Sequence, residues 1–158
     1  MTGSRITDLS SIDAENFKLR NERFFNRGYD YDAQPHHGVG EVRRKIWNTR
    51  NGDLRRVLRD FPKDAPLLDQ CAGWMHAVAG KHFFPDANHR TAMALLRKLL
   101  RDNSIELAPL PPQRAREASL RSHEVRNKIE PVRLDTLYRK DRLFLVWRLY
   151  FEPAILYE

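Results

Sequence analysis

The chain has 158 residues, 41% of them hydrophobic, which suits one domain with a real core and leaves no room for a second. Its 28 lysines and arginines against 21 acidic residues give a net charge of +7, which fits an acidic partner protein, a nucleotide or nucleic acid without choosing among them. With no apolar run of about eighteen residues and no charged-then-apolar N-terminal signal, the sequence points away from a membrane span and from secretion, and a cytoplasmic protein is expected.

Residues 7–27 offer capping residues followed by Ile12, Glu15, Leu19 and Phe24, and predict a first helix closed by Gly28. The punctuation of Gly, Pro and Asp over 28–40 predicts an irregular loop. Residues 39–61 carry Val42, Ile46 and Trp47, then Leu54, Val57, Leu58 and Phe61, as two helical segments separated at Asn51-Gly52. Pro66 opens the next helix at its first turn, where a missing N–H costs little, and that helix runs to Gly80. The single cysteine, Cys71, lies among Leu67, Leu68, Trp74, Met75 and Val78 at helical spacing and reads as core, with no intramolecular disulfide available.

The chain then reaches its most informative stretch, His82-Phe83-Phe84-Pro85-Asp86-Ala87-Asn88-His89-Arg90-Thr91-Ala92. From Asn88 onward Ala92, Leu95, Leu96, Leu99 and Leu100 recur at helical spacing, so a helix begins at this polar cluster. Its free N–H groups and positive dipole end attract anions, and a phosphate there would meet backbone donors from about Asp86 to Thr91. Arg90 adds a forked cation, Asn88 an uncharged donor, Asp86 a hard oxygen ligand of the kind magnesium takes beside nucleotide phosphates, and His82 a proton acceptor. Asp86 or Asn88 taken alone reads as an ordinary helix cap; the order and spacing of the whole set carry the functional reading.

Residues 105–107 predict a short extended piece, and Pro109, Pro111 and Pro112 a rigid connection into a polar helix over 113–129. The apolar tail 134–151 fits helix or buried strand by periodicity, and helix is the expectation. Basic residues such as Arg43-Arg44-Lys45, Arg55-Arg56, Arg97-Lys98 and Arg139-Lys140 are scattered as solvated helix faces. Neither zinc-finger spacing nor an RNA-binding aromatic signature accompanies them, so nucleic-acid binding is a secondary reading.

The eleven-residue stretch resembles the signature of the Fic/Doc family, His-x-Phe-x-Asp/Glu-Ala/Gly-Asn-Gly/Lys-Arg-x-x-Arg, and its Ala87-Asn88-x-Arg90-Thr91-Ala92 form is closer to the Doc toxin branch. The resemblance covers about residues 7–140 and leaves 141–158 as a C-terminal extension, expected to offer a surface to an oligomer or antitoxin. It implies an all-α, compact helical bundle with a flap loop or short hairpin, one domain over 1–158. It further implies an enzyme that uses ATP, or another nucleoside triphosphate, with Mg2+ to modify a Ser, Thr or Tyr hydroxyl of a target protein such as a translation factor, as the toxin of a toxin–antitoxin pair. His82 would be the base, Phe84 the loop anchor and Asp86 the magnesium ligand, with Ala87, Asn88, His89, Arg90 and Thr91 around the phosphates. Tyr29, Tyr31, His36 and His37 would belong to a flap that aligns the target.

Two positions depart from the pattern: His89 stands where Gly or Lys is usual, and Met93 replaces the second Arg that holds the terminal phosphate in AMP-transferring members. AMP transfer and Doc-type phosphate transfer with the nucleotide reversed therefore both stay open. A catalytically degenerate nucleotide- or protein-binding module is the competing expectation. Ser11-x-x-x-Glu15-Asn16 resembles the inhibitory motif of some Fic proteins, but the arginine it would pair with is missing, and an ordinary amphipathic helix is the preferred reading.

Overall fold

The computed structural model describes residues 4–27 and 39–155, and these fold as an all-α bundle. Its helices are α1 (Ala14–Arg27), α2 (Val39–Trp47), α3 (Asn51–Arg59), α4 (Leu67–Met75), α5 (Asn88–Asp102), α6 (Pro112–Arg126) and α7 (Arg142–Ile155). A single π-turn, His76–Gly80, extends α4, and a 3-10 turn, Leu134–Thr136, precedes α7. No strand occurs among the described residues, so 105–107 is irregular chain. Nor is any described helix long and apolar enough to cross a membrane.

α4 and its π-turn form the centre. Every residue from Leu67 to Gly80 except Asp69 is buried, the pattern of a helix surrounded on all sides. Trp74 stacks on Phe17 with ring centroids 5.8 Å apart and donates its indole N–H to the Ala92 carbonyl at 2.9 Å, which joins α4 to α1 and α5. Two glycines permit the close packing of the C-terminal part of the chain: a Cβ on Gly73 would lie 2.9 Å from Tyr138 Cδ1, and one on Gly80 would lie 2.8 Å from Leu143 Cδ2. Residues 143–154 are thus built into the core, with Leu143, Phe144, Val146, Trp147, Tyr150, Phe151 and Ala154 buried. Asp141 starts α7 by accepting from the Phe144 N–H at 3.0 Å, a cap that settles the helix-or-strand ambiguity of the apolar run.

α1 begins at Ala14, later than the sequence predicts, because Asp13 and Asn16 form a reciprocal capping pair: Asn16 N–H donates to Asp13 Oδ1 at 3.0 Å, and Asp13 N–H to Asn16 Oδ1 at 2.7 Å. The preceding segment is clasped instead. Gln70 exchanges hydrogen bonds with the backbone of Ile6, and Asn103 Oδ1 accepts from the N–H groups of Thr7 and Asp8. Similarly, the break between α2 and α3 falls at 48–50, and Asn51-Gly52 opens α3 rather than punctuating it.

Candidate active site

The loop 81–87 joins the π-turn to α5, and both of its ends sit in the left-handed region: His82 at φ 62° and Ala87 at φ 61°. Non-glycine residues hold that conformation only when their surroundings impose it, and such strain concentrates at functional sites. Asn88 imposes it here. Its Oδ1 accepts from the Phe84 N–H at 3.1 Å, and its Nδ2 donates to the Phe84 carbonyl at 2.9 Å and lies 3.3 Å from His82 Nδ1. Phe84, 2% exposed, is buried in the core, while His82 is displayed at the surface.

Behind the loop, Asn21 of α1 donates to the Asp86 carbonyl at 2.8 Å and to Thr91 Oγ1 at 3.0 Å. Asp86 Oδ1 accepts from the Ala87 N–H at 2.7 Å. No side chain caps α5, and its first helical bond is from Thr91 N–H to the Ala87 carbonyl, so the amides ahead of Thr91 have no acceptor within the helix. This amino terminus opens into a cleft of about 720 Å³. Arg20 and Phe24 of α1, Arg90, Met93 and Arg97 of α5, Arg116, Ser119 and His123 of α6, and Trp147 of α7 contribute to its walls. Four arginines line the cleft against one carboxylate, that of Asp86.

Several expectations change at this level. Asn88 directs its side chain into the loop, so its contribution to an anion is its backbone amide. Thr91 is buried and bonded to Asn21, so it supports the loop from behind. His89 is no phosphate cation: its Nε2 lies 3.0 Å from Ser122 Oγ, and its ring packs on His123 and Trp147 at centroid distances of 4.6 and 5.6 Å. Burial, reinforced by the neighbouring His123, His82 and Arg126, lowers its pKa to about 4, so the imidazole is neutral at physiological pH. The flap residues Tyr29, Tyr31, His36 and His37 lie outside the described residues. Ser11 donates to Asp102 at 2.5 Å and Asn16 caps α1, so the Ser11-Glu15-Asn16 set belongs to the amino-terminal end of α1 and does not line the cleft.

Burial also lowers the pKa of His82, and the Arg126 guanidinium and the neighbouring His123 push the same way while Asp86 opposes them. The ring is therefore neutral near pH 7 and able to take a proton. Asn88 Nδ2 can only donate, and its 3.3 Å contact with Nδ1 is long and weak, so the neutral ring keeps a nitrogen lone pair for an incoming proton. Arg126 also touches the backbone that presents His82, donating from Nε to the Gly80 carbonyl at 3.0 Å. Ser122, His123 and Arg126 carry no sequence signal for this role, since nothing local in a polar helix announces which distant loop it will brace. No group of three or more His, Cys, Asp or Glu residues able to hold a metal ion by itself occurs among the described residues. A comparison of the chain with protein-family models, curated proteins and solved structures finds no match.

Proposed function

We propose that this protein is a Fic/Doc-like transferase that binds a nucleoside triphosphate with Mg2+ and moves its terminal phosphate or its nucleotidyl group onto a hydroxyl side chain of a target protein. The observation that carries this reading is the placement of a neutral, surface-displayed His82 beside an uncapped helix amino terminus in a cleft with four arginines. The amides at the start of α5 and the guanidinium of Arg90 hold phosphate oxygens. His82 accepts the proton of the attacking hydroxyl; its oxygen forms the new bond to phosphorus, and the bond to the leaving ADP or pyrophosphate breaks. Magnesium, when bound with the phosphates, supplies charge neutralisation. Asp86 fits that role, because Mg2+ characteristically takes one or two carboxylates plus phosphate oxygens rather than an all-protein cage.

Calorimetric titration with ATP and Mg2+ tests the binding half of the proposal. Wild type binds, His82→Ala binds equally well, and Arg90→Ala binds roughly tenfold more weakly, about 1.4 kcal/mol. A wild-type protein that binds no nucleoside triphosphate contradicts it. The net charge of +7 favours one second reading, a nucleic-acid-binding protein. That reading requires affinity for polynucleotide that falls steeply with salt and is indifferent to His82.

A further inference from the structure

The cleft changes character along its length. At one end stand the α5 amino terminus, His82 and Arg90. Its walls also carry the short or apolar side chains of Met93, Ala94 and Ala115, with Arg97 one turn beyond Met93 on α5 and Arg116 beside Ala115 on α6. Arg97 and Arg116 line the same cleft, whose α5 and α6 walls touch where His89, in the first turn of α5, meets His123, near the end of α6. Arg97 lies about two turns after His89 and Arg116 about two turns before His123, which puts both on the order of 10 Å from the α5 amino terminus. Helical side chains lean toward the helix amino terminus, so Arg97 reaches back over the turn that carries Met93. Both arginines are exposed, and neither has a hydrogen-bond or ion-pair partner among the described residues. Two cations facing a cleft whose one lining carboxylate is Asp86 are relieved by an anion between them.

We propose that Arg97 and Arg116 form a second anion subsite, and that the cleft takes a nucleotide carrying a phosphate on its ribose in addition to its 5′ phosphate chain. The proposal rests on the nucleotide reading of the same cleft. A 5′ phosphate chain at α5 places the nucleoside against Met93, Ala94 and Ala115, side chains that suit a nucleoside and offer phosphates no donors. The ribose phosphate then reaches the arginine pair.

Equilibrium binding of AMP, adenosine 2′,5′-bisphosphate and adenosine 3′,5′-bisphosphate tests this. Wild type should bind one of the bisphosphates about tenfold or more tighter than AMP. In Arg97→Gln/Arg116→Gln that gap should close while AMP affinity stays within about twofold, and in Arg90→Gln both ligands should weaken together. Arg44→Gln/Arg55→Gln removes the same net charge from exposed positions on α2 and α3 and should keep the gap. Equal binding of AMP and both bisphosphates by wild type overturns the second subsite. So does a gap that survives the Arg97/Arg116 double variant, or one lost equally in the charge-matched control. AMP binding that depends on Arg90 but shows no preference for a bisphosphate refutes this subsite alone; failure of wild type to bind any of the three, or ATP, refutes the nucleotide reading beneath it.

Discussion

Arg126, on the last turn of α6, donates from Nε to the carbonyl of Gly80, two residues before His82, at 3.0 Å. One side chain thereby fixes the end of the π-turn and places a positive charge where it disfavours protonation of His82. Replacing it with Met removes both effects. The His82 pKa should rise toward its ordinary value, and the acid limb of the kcat/KM profile should move up in pH, because activity requires the neutral ring. We expect kcat to fall roughly tenfold, about 1.4 kcal/mol of barrier, with nucleotide affinity little changed. Arg126→Lys should keep the pH profile near that of wild type and lose only the bond. An unmoved acid limb in Arg126→Met would refute this coupling.

Asn88 makes a sharper test of the loop. Asn88→Asp keeps an acceptor for the Phe84 N–H but sets a carboxylate against the Phe84 carbonyl, where the amide now donates at 2.9 Å. The buried mismatch should cost about 1–3 kcal/mol, read as a lower denaturant midpoint, and transfer activity should fall with it. Retention of full stability and activity would show that the loop does not depend on this residue.

The pKa of His89, lowered to about 4, makes stability depend on acid in a defined window. Between pH 6.5 and 4 the unfolded chain binds a proton at this imidazole that the folded chain does not, so stability rises with pH across the window and falls on acidification. The full loss, below pH 4, is on the order of 3 kcal/mol. His76, also lowered by burial against the opposing effect of Asp141, contributes in the same direction. His89→Gln, which retains a partner for Ser122, should show a shallower decline in urea midpoint between pH 7 and 4.5. Identical slopes would remove His89 from the explanation.

Gly80→Ala should destabilise the protein by about 1–3 kcal/mol despite the higher helical propensity of alanine. The added Cβ would meet Leu143 Cδ2 at 2.8 Å and Val132 Cγ2 at 3.3 Å, and Leu143 is fully buried with nowhere to swing. Thermal denaturation measures the effect; an unchanged melting temperature would mean that α7 yields more easily than its packing suggests.

The helices and the site differ in how far they could be read from the sequence. α4, α5 and α6 were legible because their apolar spacing, Pro66 and Pro112 mark them locally. Nothing local singles out Asp13 as the cap of α1 among the several capping side chains of residues 7–13; only the clasp of the preceding chain by Gln70 and Asn103 decides it. Within the motif, residue type gave the chemistry but not the direction of the side chains. Asn88 and Thr91 read as polar groups available to a ligand, and both are turned inward. The bracing by Ser122 and Arg126 spans 33 and 46 residues, a separation at which no pattern within one helix carries information.

Incubation of the protein with cell lysate and ATP labelled separately at the α and γ phosphates, beside His82→Ala, addresses the proposed reaction most directly. Wild type should transfer label from one of the two positions to protein, α for AMP transfer or γ for phosphate transfer, and His82→Ala should transfer none. Label transferred equally well without His82, or no transfer from either position by a wild-type protein shown to bind ATP, would contradict the proposed mechanism.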